Sequence, residues 1–199
     1  MKPIAYVFGY GSLMYPNGIN GRGMKHKYIW EDLFPAEIVG YSRGMFAAYG
    51  HLTYYGIMED NNKIINGVLI PIFSKKDLDA LWLNEGAHEC YRNTKQGLMY
   101  EVHEVSSDTY TCVKSVNVNL CLLAVFTLVS VADKSREGTI PPWYVADVWK
   151  GIKPWGEAFR HLFINTGGIE PSCIAKMVAP IYNLCKSVRY IWRNIFKIN

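Results

Sequence analysis

The sequence predicts an α+β fold: β-strands interspersed with helices, extended by a C-terminal amphipathic helix. Three observations carry that expectation. Short apolar, β-branched runs recur between stretches rich in Gly, Asn and Asp. A segment opened by Ser74 has apolar residues at helical spacing between two strand-type runs. The last two dozen residues set apolar positions on one helical arc and basic positions on the next.

Taken in order, Ile4 to Phe8 reads as a short buried strand broken by Gly9 and Gly11. Met14 to Lys27 holds Gly18, Gly21, Gly23, Asn17 and Asn20 and reads as a loop. Glu37 to Tyr41 and Gly44 to Tyr49 read as strand pieces either side of a turn. Tyr54 to Met58 and Asn66 to Phe73 flank Glu59-Asp60-Asn61-Asn62, a polar turn suited to a hairpin. Ser74 is an N-cap, with Asp77 at the capping-box position and Leu78, Leu81 and Trp82 on one helical face. Leu98 to Val105, Tyr110 to Asn117 and Leu120 to Val131 supply further strands, the last run suiting a buried strand pair. Asp147 to Trp149 and Gly156 to Phe163 read as helical after Pro141-Pro142.

Charge divides the chain unevenly. Of 21 Lys and Arg residues, five (Lys176, Lys186, Arg189, Arg193, Lys197) lie after Ala175, where none of the 17 acidic residues falls. The net charge of +4 thus belongs to the tail, and a nucleic-acid domain, which carries its basic stripe through its body, is disfavoured. In the tail, Ile181, Leu184, Cys185, Val188, Ile191, Trp192, Ile195 and Phe196 share one arc, beside the basic residues. That pattern fits a helix packed on the domain, or one drawn to anionic lipid or an acidic partner. Residues 1–165 are expected to form one domain and 166–199 an extension.

The 12-residue run Leu120 to Val131 is too short for a bilayer crossing, and the N-terminus lacks a signal-peptide core. Five scattered cysteines without CxxC or Cys/His spacing suggest reduced thiols in a cytoplasmic compartment and no zinc site. Cys90 with His88 or His103 can be drawn as a thiol and its base, but no third orienting group suggests itself.

The chemistry is concentrated in Tyr6-Val7-Phe8-Gly9-Tyr10-Gly11-Ser12-Leu13-Met14, where a strand runs into Gly-x-Gly. Such a turn can point several backbone N–H groups into one concavity and hold an anion. A dinucleotide fingerprint needs a third glycine at Met14, and a P-loop needs Gly-Lys-Ser/Thr; neither is present.

The string FGYGSLM resembles the opening of the γ-glutamylcyclotransferase-like superfamily, which includes γ-glutamylcyclotransferases, ChaC-type glutathione-degrading enzymes and plant avirulence-induced-gene-like proteins. The resemblance continues, in order, through Val39-Gly40-Tyr41-Ser42-Arg43, Asn66-Gly67-Val68-Leu69-Ile70, Leu78 to Gly86 with Tyr91-Arg92, and Pro141-Pro142-Trp143-Tyr144. It implies a small mixed, barrel-like sheet with flanking helices. It also implies an enzyme that closes a γ-glutamyl group on its own α-amine and releases 5-oxoproline, with neither metal nor organic cofactor.

Carried over residue by residue, the resemblance makes Glu85 the catalytic proton acceptor. Val7, Phe8, Gly9, Tyr10, Gly11, Ser12 and Leu13 become the loop that holds the glutamyl moiety, and Tyr144 lies near the substrate. Arg43 and Tyr91 are further candidates, Arg43 for a substrate carboxylate. Independently, Leu81, Trp82 and Leu83 suggest apolar walls around Glu85, and a desolvated carboxylate takes up a proton more readily. Glu89 is the competing carboxylate but stands only two residues before Tyr91. A catalytically idle member of the same fold, working through its basic tail, is the alternative.

Overall fold

The computed structural model describes residues 1–49, 52–94, 98–105, 110–112, 123–131 and 140–170. The C-terminal basic helix, residues 113–117 and the start of the 120–131 run lie outside the described residues. The predicted mixed sheet is present: six strands in the order β4-β6-β1-β3-β2-β5, curled as a half-barrel.

Strand β1 (Ala5–Gly9) lies at the centre, antiparallel to β3 (Leu52–Ile72) and parallel to β6 (Val125–Ser130). Every residue of β1 is buried, which is why it reads as an unbroken apolar run rather than an alternating one. Strand β4 (Tyr100–Val105) pairs antiparallel with β6, and β5 (Tyr110–Cys112) with β2 (Phe34–Tyr49).

Neither of the turns expected on either side of residue 50 interrupts its strand. Val39 pairs with Ile64 and Tyr41 with Glu59, so Gly40 alone stands opposite residues 60–63. The polar Glu59-to-Asn62 stretch therefore swells out of β3 without ending it. The turn expected between Tyr41 and Gly44 is absent, since Ser42 pairs with Met58 and Arg43 with Ile57; a second register shift follows between Gly44, opposite Gly56, and Ala47, opposite Tyr54. Both shifts bend the β2–β3 ribbon as bulges do. The Leu120 to Val131 run contributes one described strand, β6, not a strand pair.

The loop expected over 14–27 contains a short helix, α1 (Pro16–Asn20), begun by Pro16 at its first position, where a missing N–H costs nothing. Helix α2 (Lys75–Glu85) matches its sequence signals. Ser74 Oγ accepts from the Asp77 N–H at 3.1 Å and donates to Asp77 Oδ2 at 2.9 Å. It ends at Gly86, whose φ of +74° suits glycine, and the Ala87 N–H closes the terminus on Trp82 O at 2.9 Å. Leu81 and Trp82 face the core.

Helices α3 (Pro142–Ile152) and α4 (Glu157–Asn165) bury Tyr144, Val148, Ile152, Phe159 and Phe163. Among the described residues, no helix is long and apolar enough to cross a membrane.

Candidate active site

Beyond β1 the chain passes Tyr10 in extended conformation and enters a 3₁₀ turn, Gly11–Met14. Gly11 has φ +67°, and a Cβ built there would meet Tyr144 Oη at 2.8 Å. The glycine of this turn thus serves a close approach as well as a backbone angle.

Helix α2 brings the second half of the site. The Lys25 N–H donates to Asp77 Oδ1 at 2.6 Å, and Asn84 Nδ2 donates to Arg22 O at 2.9 Å. The 22–25 segment is therefore held alongside α2 at both ends. Arg22 Nε donates to Glu85 Oε1, and Arg22 Nη2 to Ser12 Oγ at 3.0 Å. Glu85, Arg22 and Ser12 form one chain of contacts from the end of α2 to the turn after β1. The Glu85 side chain is 13% exposed and that of Arg22 27%. Burial pulls the Arg22 guanidinium down, but the charge of Glu85 and its hydrogen bond outweigh this and leave its pKa above the ordinary value.

Of the three expected apolar walls, Leu81 and Trp82 turn into the core, and Leu83 alone lies beside Glu85. A small niche behind it is lined by Tyr10, Tyr100 and Tyr144 together with Phe8, Ser12, Leu13, Tyr55 and Leu128. The phenols are fixed to backbone groups. Tyr10 donates to Leu128 O, Tyr100 donates to Tyr55 O at 3.1 Å, and Tyr144 Oη accepts from the Tyr55 N–H at 3.2 Å. Burial first, and the nearby Glu85 charge after it, push Tyr10 and Tyr144 up; burial is also the main cause for Tyr100. All three stay neutral near pH 7.

In front of Glu85 a cavity of about 580 Å³ opens, lined by Ser12, Arg22, Asn84, Tyr100 and Tyr144, with Tyr15, Tyr54, Tyr91, Trp143 and Asp147 also contributing. That volume suits a small ligand. Asp147 is bonded to Lys150 at 2.8 Å.

The expected residues distribute as follows. Glu85, Ser12, Tyr144 and Tyr91 line the cavity; Phe8, Tyr10 and Leu13 line the niche. Val7 and Gly9 are ladder residues of β1, opposite Ile70 and Val68, and line neither space. Gly11 acts through the turn. Arg43 is not at the cavity: it is 5% exposed and donates to Asn66 Oδ1 at 3.2 Å, Thr166 Oγ1 at 3.1 Å and Phe163 O at 3.4 Å. Its guanidinium lies 4.2 Å from the Phe163 ring centroid, so it ties α4 to the sheet instead of awaiting a carboxylate.

Glu89 is exposed and paired with Arg92 at 2.8 Å. Cys90 is an exposed free thiol; His88 Nδ1 accepts from its backbone N–H at 3.2 Å, and His103 faces Glu59 at 3.2 Å. No thiol–base pair forms there. Among the described residues no three His, Cys, Asp or Glu side chains are placed to hold a metal ion.

Arg22 and Tyr100 were not legible as site residues. Arg22 lies in a Gly/Asn loop with no periodicity, and its partner is 63 residues away in sequence. Tyr100 opens an ordinary-looking strand.

No family model matches the chain, and no curated protein matches it in sequence. Solved structures do match. A structure described as a γ-glutamyl cyclotransferase aligns with a TM-score of 0.54 at 15% identity, covering 85% of this chain and 89% of its own. An uncharacterized protein from Homo sapiens aligns with a TM-score of 0.58 at 16% identity over the same shares. YkqA from Bacillus subtilis aligns with a TM-score of 0.52 at 20% identity, covering 77% of this chain; the match spans 49% of YkqA. The shared property at these identities is the fold.

Proposed function

We propose that this chain, which has the γ-glutamylcyclotransferase-like fold, cleaves γ-glutamyl amides by intramolecular cyclisation. The observation that carries the reading is Glu85 at the end of α2, joined through Arg22 to the Tyr10–Ser12 turn at the wall of a ligand-sized cavity. A carboxylate facing such a turn has the two parts that ring closure needs: a proton acceptor and a polar seat for a carbonyl oxygen.

Glu85 takes a proton from the substrate's α-ammonium. The freed amine attacks the γ-carbonyl carbon, forming the C–N bond of a five-membered lactam. Negative charge collects on the carbonyl oxygen, against N–H groups of the turn after β1 and the neutral phenols at its side. The original amide C–N bond then breaks as the proton held by Glu85 passes to the departing nitrogen, and the lactam nitrogen gives up its second proton, which leaves with the amine as its ammonium form. Products are 5-oxoproline and a free amine or peptide; no water is consumed. Because nucleophile and electrophile belong to one molecule, orientation supplies much of the rate, with effective molarities of about 10⁵ M or more for well-placed groups. Tyr15, Tyr54, Tyr91 and Trp143 would face the leaving half.

The test is release of 5-oxoproline from a panel comprising glutathione, γ-glutamyl amino acids and γ-glutamyl-ε-lysine. Release from at least one, lost in Glu85→Gln, supports the proposal; no release from any would falsify it for those substrates.

A second reading rests on the charge asymmetry of the sequence, with five basic and no acidic residues after Ala175. In it, the 166–199 extension docks on an anionic membrane or an acidic partner. Deleting 176–199 separates docking from packing. Unchanged stability with lost vesicle binding supports docking, whereas a large stability loss supports packing.

A further inference from the structure

Arg22 is the only Lys, Arg or His among the described residues lining the cavity. Two of its five N–H donors are engaged, Nε with Glu85 and Nη2 with Ser12. Nη1 has no hydrogen-bond partner among the described residues, and the side chain is 27% exposed. The Nη1–Nη2 edge of a guanidinium is the edge that binds a carboxylate with two parallel hydrogen bonds. Ser12 engages one proton of Nη2 and leaves the other.

The charges are also matched. Arg22 and Glu85 touch, so the cavity wall carries a cation and an anion side by side. The head of an α-amino acid carries an ammonium and a carboxylate on one carbon. Placed with its ammonium on Glu85, as the proton transfer requires, it brings its carboxylate to the guanidinium next door. Among the described residues no other cation lines the cavity to take that charge. Asp147 would oppose it, and is itself bonded to Lys150.

We propose that Arg22 and Glu85 form a zwitterion clamp, with Glu85 receiving the α-ammonium and Arg22 the α-carboxylate. The free α-carboxylate that a 5-oxoproline-forming substrate carries is then read by the Arg22 guanidinium. A glutamyl residue whose α-carboxyl is amidated, or joined into a peptide, is rejected. This inference rests on the cyclisation reading for its kinetic test, though not for its binding test.

The kinetic experiment compares 5-oxoproline release from γ-glutamyl-alanine with release of the corresponding lactam amide from its glutamyl α-carboxamide analogue. Native protein is expected to lose about tenfold to a hundredfold in kcat/KM on the carboxamide, the range for one charge-assisted hydrogen-bonded contact. R22Q is expected to lose a similar factor on the carboxylate substrate, mainly through KM, and little further on the carboxamide. R22K should recover part of the loss. Equal kcat/KM for the two substrates in native protein overturns the clamp, as does an equal loss on both in R22Q, which would make Arg22 only a holder of Glu85.

The binding experiment titrates native and R22Q protein with L-glutamate and with L-isoglutamine, which differ only in the α-carboxyl. Tighter glutamate binding in native protein, with the difference abolished in R22Q, supports the clamp even where no 5-oxoproline is released. In that case the cyclisation reading fails alone. Indifference of native protein to the two ligands overturns the clamp whatever the activity.

Discussion

The hydroxyl of Tyr144 occupies the space a side chain would need at Gly11: a Cβ there would stand 2.8 Å from Tyr144 Oη. Tyr144 in turn accepts from the Tyr55 N–H, so α3, β3 and the turn after β1 meet at one oxygen. Gly11→Ala is expected to cost about 1–2 kcal/mol for its positive φ alone, and more as Tyr144 is displaced. Thermal unfolding measures the first effect. Lowered 5-oxoproline release from the folded fraction measures the second; native stability in the alanine variant would contradict this packing.

Glu85→Gln should reduce 5-oxoproline release by about 10²- to 10⁴-fold, the usual contribution of a positioned proton carrier. Glu89→Gln, four residues on, should change nothing, because Glu89 is exposed and its one ion-pair partner among the described residues is Arg92 on its own turn. The two variants assayed together separate the carboxylate at the cavity from its near neighbour; equal losses would mean that the wrong carboxylate carries the proton.

Arg43→Met should destabilise the fold by about 2–4 kcal/mol, since it strands acceptors at Asn66, Phe163 and Thr166. Its KM should match that of native protein. A raised KM with unchanged stability would return Arg43 to the substrate.

Alkaline pH should unfold the protein through its tyrosines. Tyr10, Tyr15, Tyr28, Tyr41, Tyr55, Tyr100 and Tyr144 are all pushed up by burial, Tyr15 to about 12. A folded-state pKa above the unfolded one means that the unfolded chain releases protons first as pH rises. The stability is therefore complete below about pH 10 and falls above it. Arg43, pulled down by burial, works in the opposite direction but is a single group. The unfolding midpoint should drop steeply above pH 10, with tyrosinate absorbance appearing together with unfolding. Tyrosinate forming fully before unfolding would show that the phenols are not sealed.

What the sequence makes legible here is local chemistry. Ser74, Asp77 and Gly86 announce the ends of α2 because capping uses neighbours three or four residues away. Glu85 is legible through the Leu78 to Gly86 resemblance, and in the structure Arg22 links it to the turn of the separate Tyr6 to Met14 motif. The 21-residue strand β3 is not legible, because Glu59 to Asn62 has the composition of a turn. The residue that keeps the strand continuous is Gly40, on the partner strand. Arg22 is hidden for the same reason: its meaning comes from α2, which holds the loop at Asp77 and Asn84. Arg43 shows the reverse error, a motif arginine whose surroundings turn out to be carbonyls and a ring.

Tyr55 closes a different circuit. Its hydroxyl accepts from the Ile169 N–H at 2.7 Å, while its backbone N–H and C=O hold Tyr144 and Tyr100. The chain leaving α4 is thus fastened to the very strand residue on which two phenols of the site hang. Replacing Tyr55 with Phe would free the Ile169 N–H while leaving the backbone anchors of Tyr144 and Tyr100 in place.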